Sequence, residues 1–171
     1  MNYKTKFDLP HIFREEQKFH PIFYIALILP SISVWVLFIL QIFFKKAFGK
    51  KPAPDYVIFI LFLVIGLLLP YIIMKIKLIT EVRIDGIYLK FLPFHFKYKF
   101  FSFAEINKAE YVTYNAIKEY GGWGIRYGKN GWAYNVKGNK GIMLYLKNDK
   151  KLLIGTQKGE EFINILNQLI Y

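Results

Sequence analysis

The sequence predicts a membrane α-helical hairpin followed by an α+β domain, an antiparallel sheet or partial barrel of about seven strands capped by a C-terminal helix. Three observations predict it. Two uncharged apolar runs, residues 22–44 and 56–74, lie close together near the start of the chain. From Ile79 onward continuous hydrophobicity gives way to short alternating runs broken by turn residues. The final stretch, residues 158–170, repeats Phe162, Ile165, Leu166 and Leu169 at helical spacing. The 171 residues thus divide into a leader (1–20), a two-span hairpin (21–76, spans 22–44 and 56–76) and a water-facing domain (77–171).

The leader contains Phe13-Arg14-Glu15-Glu16-Gln17-Lys18-Phe19 directly before His20-Pro21. Two aromatics six residues apart with charges between them fit an interfacial helical turn, a strap against the C-terminal domain, or a solvated juxtamembrane segment. The first apolar run has 23 residues, longer than the roughly 7–15 of a signal peptide, and ends in Phe43-Phe44-Lys45-Lys46 without a small-residue cleavage site. It reads as a retained span. At 1.5 Å per residue, such a helix reaches about 34 Å, enough for a hydrocarbon core of roughly 30 Å. Pro30 and Pro70 each remove a backbone donor and bend their helices. No ionisable residue lies in residues 22–44 or 56–74, so an ion or proton path has no carrier.

The connection, residues 45–55, carries Gly49, Pro52 and Pro54, which stop helix continuation and make the spans antiparallel. Four lysines lie in this loop: Lys45, Lys46, Lys50 and Lys51. Eight basic residues flank the other ends: Lys4, Lys6, Arg14, Lys18, Lys75, Lys77, Arg83 and Lys90. The imbalance favours a plasma-membrane protein with both termini and the C-terminal domain in the cytoplasm.

In the domain, Asp85-Gly86 between two alternating runs signals a hairpin. Phe94, Phe96, Tyr98 and Phe100 then fall on one face of a predicted strand, with His95, Lys97 and Lys99 on the other. Ser102 and Glu105 fit a capping box for a short helical turn, and residues 109–115 form the next strand. Two strands at 123–127 and 132–136 are joined by Gly128-Lys129-Asn130-Gly131; strands at 142–146 and 152–154 precede the terminal helix.

This order of short strands closed by one amphipathic helix resembles the pleckstrin-homology-like superfold, in which a C-terminal helix caps an open barrel corner. The stretches FREEQKF (13–19), EYGGWGIRYG (119–128), AYNVKGNKGI (133–142) and LLIGTQKGEEF (152–162) resemble a family of small uncharacterised bacterial membrane proteins. That resemblance implies two transmembrane helices followed by a pleckstrin-homology-like domain, and no particular chemistry. Phosphoinositide binding, associated with the superfold, requires a basic loop where this chain has the tight Asp85-Gly86.

The formal net charge is +12, with nine Lys and Arg against four acids in residues 1–76 and fifteen against eight in 77–171. A basic balance spread over the chain points to anionic headgroups, about 1 kcal/mol per well-placed cation. No recognition helix or RNA-binding motif supports nucleic acid as a partner. The chain has no cysteine, which excludes disulfides, thiolate metal sites and cysteine nucleophiles. His11, His20 and His95 lack metal-ligand spacing, and no nucleotide loop is present. The sequence therefore predicts a non-enzyme without metal or cofactor.

Two surfaces remain as candidates. Trp123, Arg126, Tyr127, Trp132 and Tyr134 are residue types that anchor protein interfaces, for a protein partner or self-association. The other reading has these aromatics filling the barrel while Gly121, Gly122 and Gly124 permit a tight bend. Lys90, His95, Lys97 and Lys99 form a candidate lipid-facing or envelope-sensing face, or a solvated one. The expected function is a membrane-anchored, non-catalytic interaction module, with anionic-lipid sensing as the alternative.

Overall fold

The computed structural model describes residues 10–19, 21–46 and 49–170. Lys4, Lys6 and His20 of the sequence reading lie outside the described residues. The chain divides into two compact units, with the boundaries between residues 19 and 20 and between residues 76 and 77.

The apolar unit is a pair of helices. The first, α1 (Pro21–Phe38), is prolonged by a π-helical turn, Ile39–Phe43. The second runs through α2 (Asp55–Leu61), a π-helical stretch Phe62–Leu68, and α3 (Leu69–Lys75). Stretches of 20 and 21 residues in these helices are long and apolar enough to cross a membrane, by length and composition. Pro70 has no N–H, so one carbonyl of the preceding turn, Ile65 in π-helical or Gly66 in α-helical spacing, loses a backbone donor. Side chains of α1 donate to both. The Trp35 indole N–H donates to the Gly66 carbonyl at 3.1 Å and the Ser31 hydroxyl to the Ile65 carbonyl at 3.1 Å. Gly66 is small enough to admit the Trp35 ring, whose indole would lie 3.4 Å from an added Cβ. Phe62 completes the seam, stacked on Phe38 at 4.1 Å and edge-on to Trp35 at 4.7 Å. At the loop end, the buried Gln41 amide donates to the Ala53 carbonyl and the Asp55 carboxylate, at 2.7 and 2.8 Å.

Among the described residues the second unit has nine strands, where the sequence predicts about seven. One sheet has the order β1 (Phe13–Lys18), β2 (Lys77–Arg83), β3 (Gly86–Leu92), β4 (Lys99–Ser102), all antiparallel. The other comprises β5 (Ile106–Thr113), β6 (Gly124–Gly128), β7 (Gly131–Asn135), β8 (Lys140–Leu146) and β9 (Lys151–Gly155), in the order β5-β8-β9-β7-β6. Both chain ends serve this unit, since the helix α5 (Gly159–Ile170) packs on β5 and β8 and its Phe162 stacks on Phe13 at 4.7 Å.

Burial runs through both faces of the central strands. Leu78, Val82, Ile87, Leu89 and Phe91 of the first sheet are buried, as are Ile142, Leu144, Leu152 and Ile154 of the second. Tyr134 shares the face of Ile154 and meets Lys99 of the first sheet, so these faces look toward one another. The opposite face of the five-stranded sheet, through Ala133, Met143 and Leu153, packs on Tyr114, Ala116 and Tyr120.

Four details differ from the sequence reading. The leader segment is a strand of the domain, of the three readings nearest the strap. Its Phe13, Glu15 and Gln17 face inward, and the two polar residues are paired. Glu15 accepts from the Thr156 hydroxyl at 2.6 Å and the Gln157 N–H at 2.8 Å, and Gln17 donates to the Gly155 carbonyl at 2.7 Å. β7 and β9 pair in parallel, which local alternation cannot reveal. A short helix, α4 (Ala116–Tyr120), follows β5, capped reciprocally as the Asn115 side chain accepts from the Lys118 N–H and Glu119 accepts from the Asn115 N–H.

The fourth concerns the aromatic stretch after β3. Residues 93–98 form turns and bends rather than a strand, because Pro93 interrupts the ladder. Alternation resumes in β4 with the opposite facing. Phe100 pairs with Tyr88 on the outer face, and Lys99 turns inward beside Leu89.

Candidate functional site

The five interface candidates do not act as one patch. Trp123 is half-buried against the Tyr114–Tyr120 cluster, and its indole N–H donates to the Gly138 carbonyl at 3.0 Å. Arg126 is exposed, with its guanidinium donating to the Trp123 carbonyl at 3.1 Å. Tyr134 is buried and accepts from the Lys99 ammonium at 2.5 Å. These three support the bend and the core.

Tyr127 and Trp132 are different. They face each other across the β6–β7 ladder in edge-to-face contact at 5.3 Å, and remain 71% and 47% exposed. Trp132 occupies the end of the inner face of its sheet, so its ring divides two open hollows of about 410 and 470 Å³. The first is lined by Tyr127, Lys129, Lys150 and Lys151, with Asp149 as its acid. The second, between the sheets, is lined by Lys99, Phe101, Tyr134 and Leu146, again with Lys150 and Lys151.

The parallel pairing brings this set together. Trp132 is in register with Leu152, so Gly131 lies beside Lys151 and the β6–β7 turn beside the β8–β9 turn. Gly131, at φ +87°, lies so close to the Lys151 carbonyl that no side chain fits there. Lys129, Lys150 and Lys151 were not singled out from the sequence. Their signal is the presence of lysines in and just after two turns that the β7–β9 pair makes neighbours.

The basic residues Lys90, His95, Lys97 and Lys99 do not form a flat strand face. The Lys90 ammonium lies 5.4 Å from the Tyr98 ring centre, on the outer face of the four-stranded sheet. His95 is half-buried with its ring 5.7 Å from Tyr134, and burial, then the charge of Lys99, pushes its pKa down. Lys99 is bonded to Tyr134. Lys97 lies exposed in the 93–98 loop.

That outer face carries its own polar cluster. The buried Glu81 carboxylate accepts from Arg83 at 2.6 Å and Tyr98 at 2.9 Å, with Arg14 at 3.3 Å. Burial pushes Glu81 up, but the bonds from Arg83 and Tyr98 and the charges of Arg83 and Arg14 outweigh it and hold it below the ordinary glutamate value. Tyr98 is pushed up to about 12 by burial and by its bond to Glu81. Fully paired in this way, the cluster fixes the fold of the outer face and offers no reactive group.

Residues 5–167 match the model of a family described as Family of unknown function (DUF6141), and the chain belongs to that family. No curated protein matches it. No solved structure matches it either.

Proposed function

We propose that this member of a family of unknown function is a membrane-anchored, non-catalytic binding module. In this reading the two apolar helices span the plasma membrane as a hairpin. The nine-stranded unit is a pleckstrin-homology-like domain held on the cytoplasmic side, and its recognition surface is the Trp132–Tyr127 hairpin.

The membrane part is supported by how the hairpin treats its backbone. In hydrocarbon every N–H and C=O must find a partner within the protein. Pro70 removes one backbone donor from this turn, and the Ile65 and Gly66 carbonyls there accept from Ser31 and Trp35. The eight-to-four distribution of flanking cations supports the cytoplasmic orientation.

One observation carries the binding part: a large, exposed aromatic pair stands between two hollows edged by Lys99, Lys129, Lys150 and Lys151. An exposed Trp beside cations suits a protein segment that brings an apolar side chain flanked by Asp or Glu. A photo-reactive benzoylphenylalanine at Tyr127, in the full chain in its native membrane, should give a discrete adduct that maps to an acid-bearing segment. The same probe at the exposed Ile84, in the β2–β3 turn, should not. Equal labelling at both positions removes the assignment.

A further inference from the structure

The loop between β3 and β4 exposes two phenylalanines. Phe94 is 59% exposed and Phe96 is 87% exposed. The loop is nevertheless pinned at both ends. The His95 N–H donates to the Phe91 carbonyl at 2.8 Å, and the Tyr98 hydroxyl donates to Glu81 at 2.9 Å. Phe94 also rests against the buried Phe91, ring centres 6.1 Å apart. Phe96 is therefore presented by an ordered loop at its tip.

The register of the sheet shows where this tip emerges. Lys18, the last residue of β1, pairs with Lys77, the first of β2, and Lys77 pairs with Leu92, the last of β3. From Lys18 the chain continues toward α1, which begins at Pro21, and it reaches Lys77 from α3, which ends at Lys75. The loop 93–98 departs from Leu92. Both covalent links to the apolar helices and the Phe96 loop thus belong to the same end of one sheet. Lys18, Lys77, Lys90 and Lys97 supply cations there, and Glu16, paired with Lys77 at 3.1 Å, is the acid.

We propose that residues 93–98 are a membrane-dipping loop: Phe94 and Phe96 enter the headgroup–acyl boundary of an anionic bilayer while Lys97 meets lipid phosphate. Aromatic rings at that depth with flanking lysines are the arrangement an interface rewards. The loop would fix the domain against the membrane surface and leave the Trp132 face turned to water. This inference rests on the hairpin spanning the bilayer, as in the proposed function.

Because the chain lacks cysteine, single nitroxide labels report depth directly. The full chain is reconstituted in phosphatidylcholine vesicles, with and without phosphatidylglycerol, carrying a label at Phe96→Cys, Tyr127→Cys or Leu29→Cys. Collision with oxygen is compared with collision with a water-soluble nickel chelate. The expected result with phosphatidylglycerol is hydrocarbon depth at 29, boundary depth at 96 and full water exposure at 127. Omitting phosphatidylglycerol should shift the label at 96 toward water. A water-exposed label at 29 contradicts the hairpin reading and this inference with it. A label at 96 as exposed as that at 127, with 29 at depth, overturns the loop inference alone. The pair Phe94→Ser and Phe96→Ser, read through a label at Lys97→Cys, tests the same contact without a label on the ring position. Retained boundary depth in that variant would also overturn it.

Discussion

The indole N–H of Trp35 donates to the carbonyl of Gly66 at 3.1 Å, and Gly66 lies four residues before Pro70. The bond lies at the turn where Pro70 removes a backbone donor, beside the Ser31 bond to Ile65, so side chains of one helix serve the backbone of the other there. Trp35→Phe retains a ring against Phe62 but loses the donor. The expected cost is about 1 kcal/mol of hairpin stability, typical of an interhelical hydrogen bond in a membrane. Gly66→Leu, which forces the rings apart, should cost more. Equilibrium unfolding of the full chain in bilayers measures both, and an unchanged Trp35→Phe variant would show that the bond contributes nothing.

Glu15 and Thr156 join the two ends of the domain. The Glu15 carboxylate, buried on the inner face of β1, has Thr156 and Gln157 as its partners. Glu15→Ala should destabilise the domain by about 1–3 kcal/mol by leaving buried donors unpaired. Thr156→Ala added to it should cost less than it does alone, since the shared bond cannot be lost twice, and what remains is its bond from the Lys158 N–H. Amide exchange at Gln157 should accelerate in step with the loss.

Acid should loosen the outer face of the four-stranded sheet. Glu81 is held below its ordinary value in the folded state, so its stabilising contribution is present above the unfolded value, about pH 4.3. That contribution is lost as pH falls through the lower folded value. Glu16 is also depressed, first by the Arg14 bond, so Glu81→Gln should flatten part of the acid transition and leave a remainder. Denaturation midpoints from pH 6 downward read this out. An acid transition of unaltered steepness in Glu81→Gln would contradict it.

At high pH the sign reverses. Tyr88 and Tyr98 are both pushed up to about 12 by burial and by bonds to Asp85 and Glu81. Their neutral forms stabilise the fold below the ordinary phenol value, about 10, and this is lost as pH climbs toward 12. Tyr98→Phe should therefore narrow the alkaline loss of stability, measured by phenolate absorbance alongside unfolding.

The glycine-rich segment should separate into structure and surface. Trp123→Ala removes a packed ring and the bond to Gly138, and should cost about 2 kcal/mol or more. Trp132→Ala and Tyr127→Ala remove exposed rings and should change stability by about 0.5 kcal/mol or less. Thermal unfolding of the three variants distinguishes the roles.

What could be read in the sequence was what is local. The uncharged runs coincide with the two long helices, and turn residues at Gly128–Gly131 and Asn148–Lys150 fall where strands end. The terminal helix carries its apolar repeat to the buried Phe162 and Leu166. What could not be read depends on distant partners. Glu15 and Gln17 look solvated until Thr156, Gln157 and Gly155 arrive to pair them. Lys99 looks outward until Pro93 breaks the alternation and resets the strand's facing. The Trp132 hollows need the parallel β7–β9 pair, which joins residues some twenty positions apart. Phe94 and Phe96 alternate with His95 and Lys97 like one face of a strand, and their exposure follows from residues 93–98 forming a loop.

In the proposed function the Trp132 face receives an acidic segment of a protein partner. The most direct test is the adduct formed by benzoylphenylalanine at Tyr127 in native membranes, compared between the parent chain and Lys150→Glu/Lys151→Glu. Both lysines are exposed, Lys150 just before β9 and Lys151 at its first position, so the fold should survive the change. The account predicts a discrete adduct that the charge reversal abolishes, with the unfolding temperature unaltered. An adduct of the same identity and yield in the charge-reversed chain would contradict it.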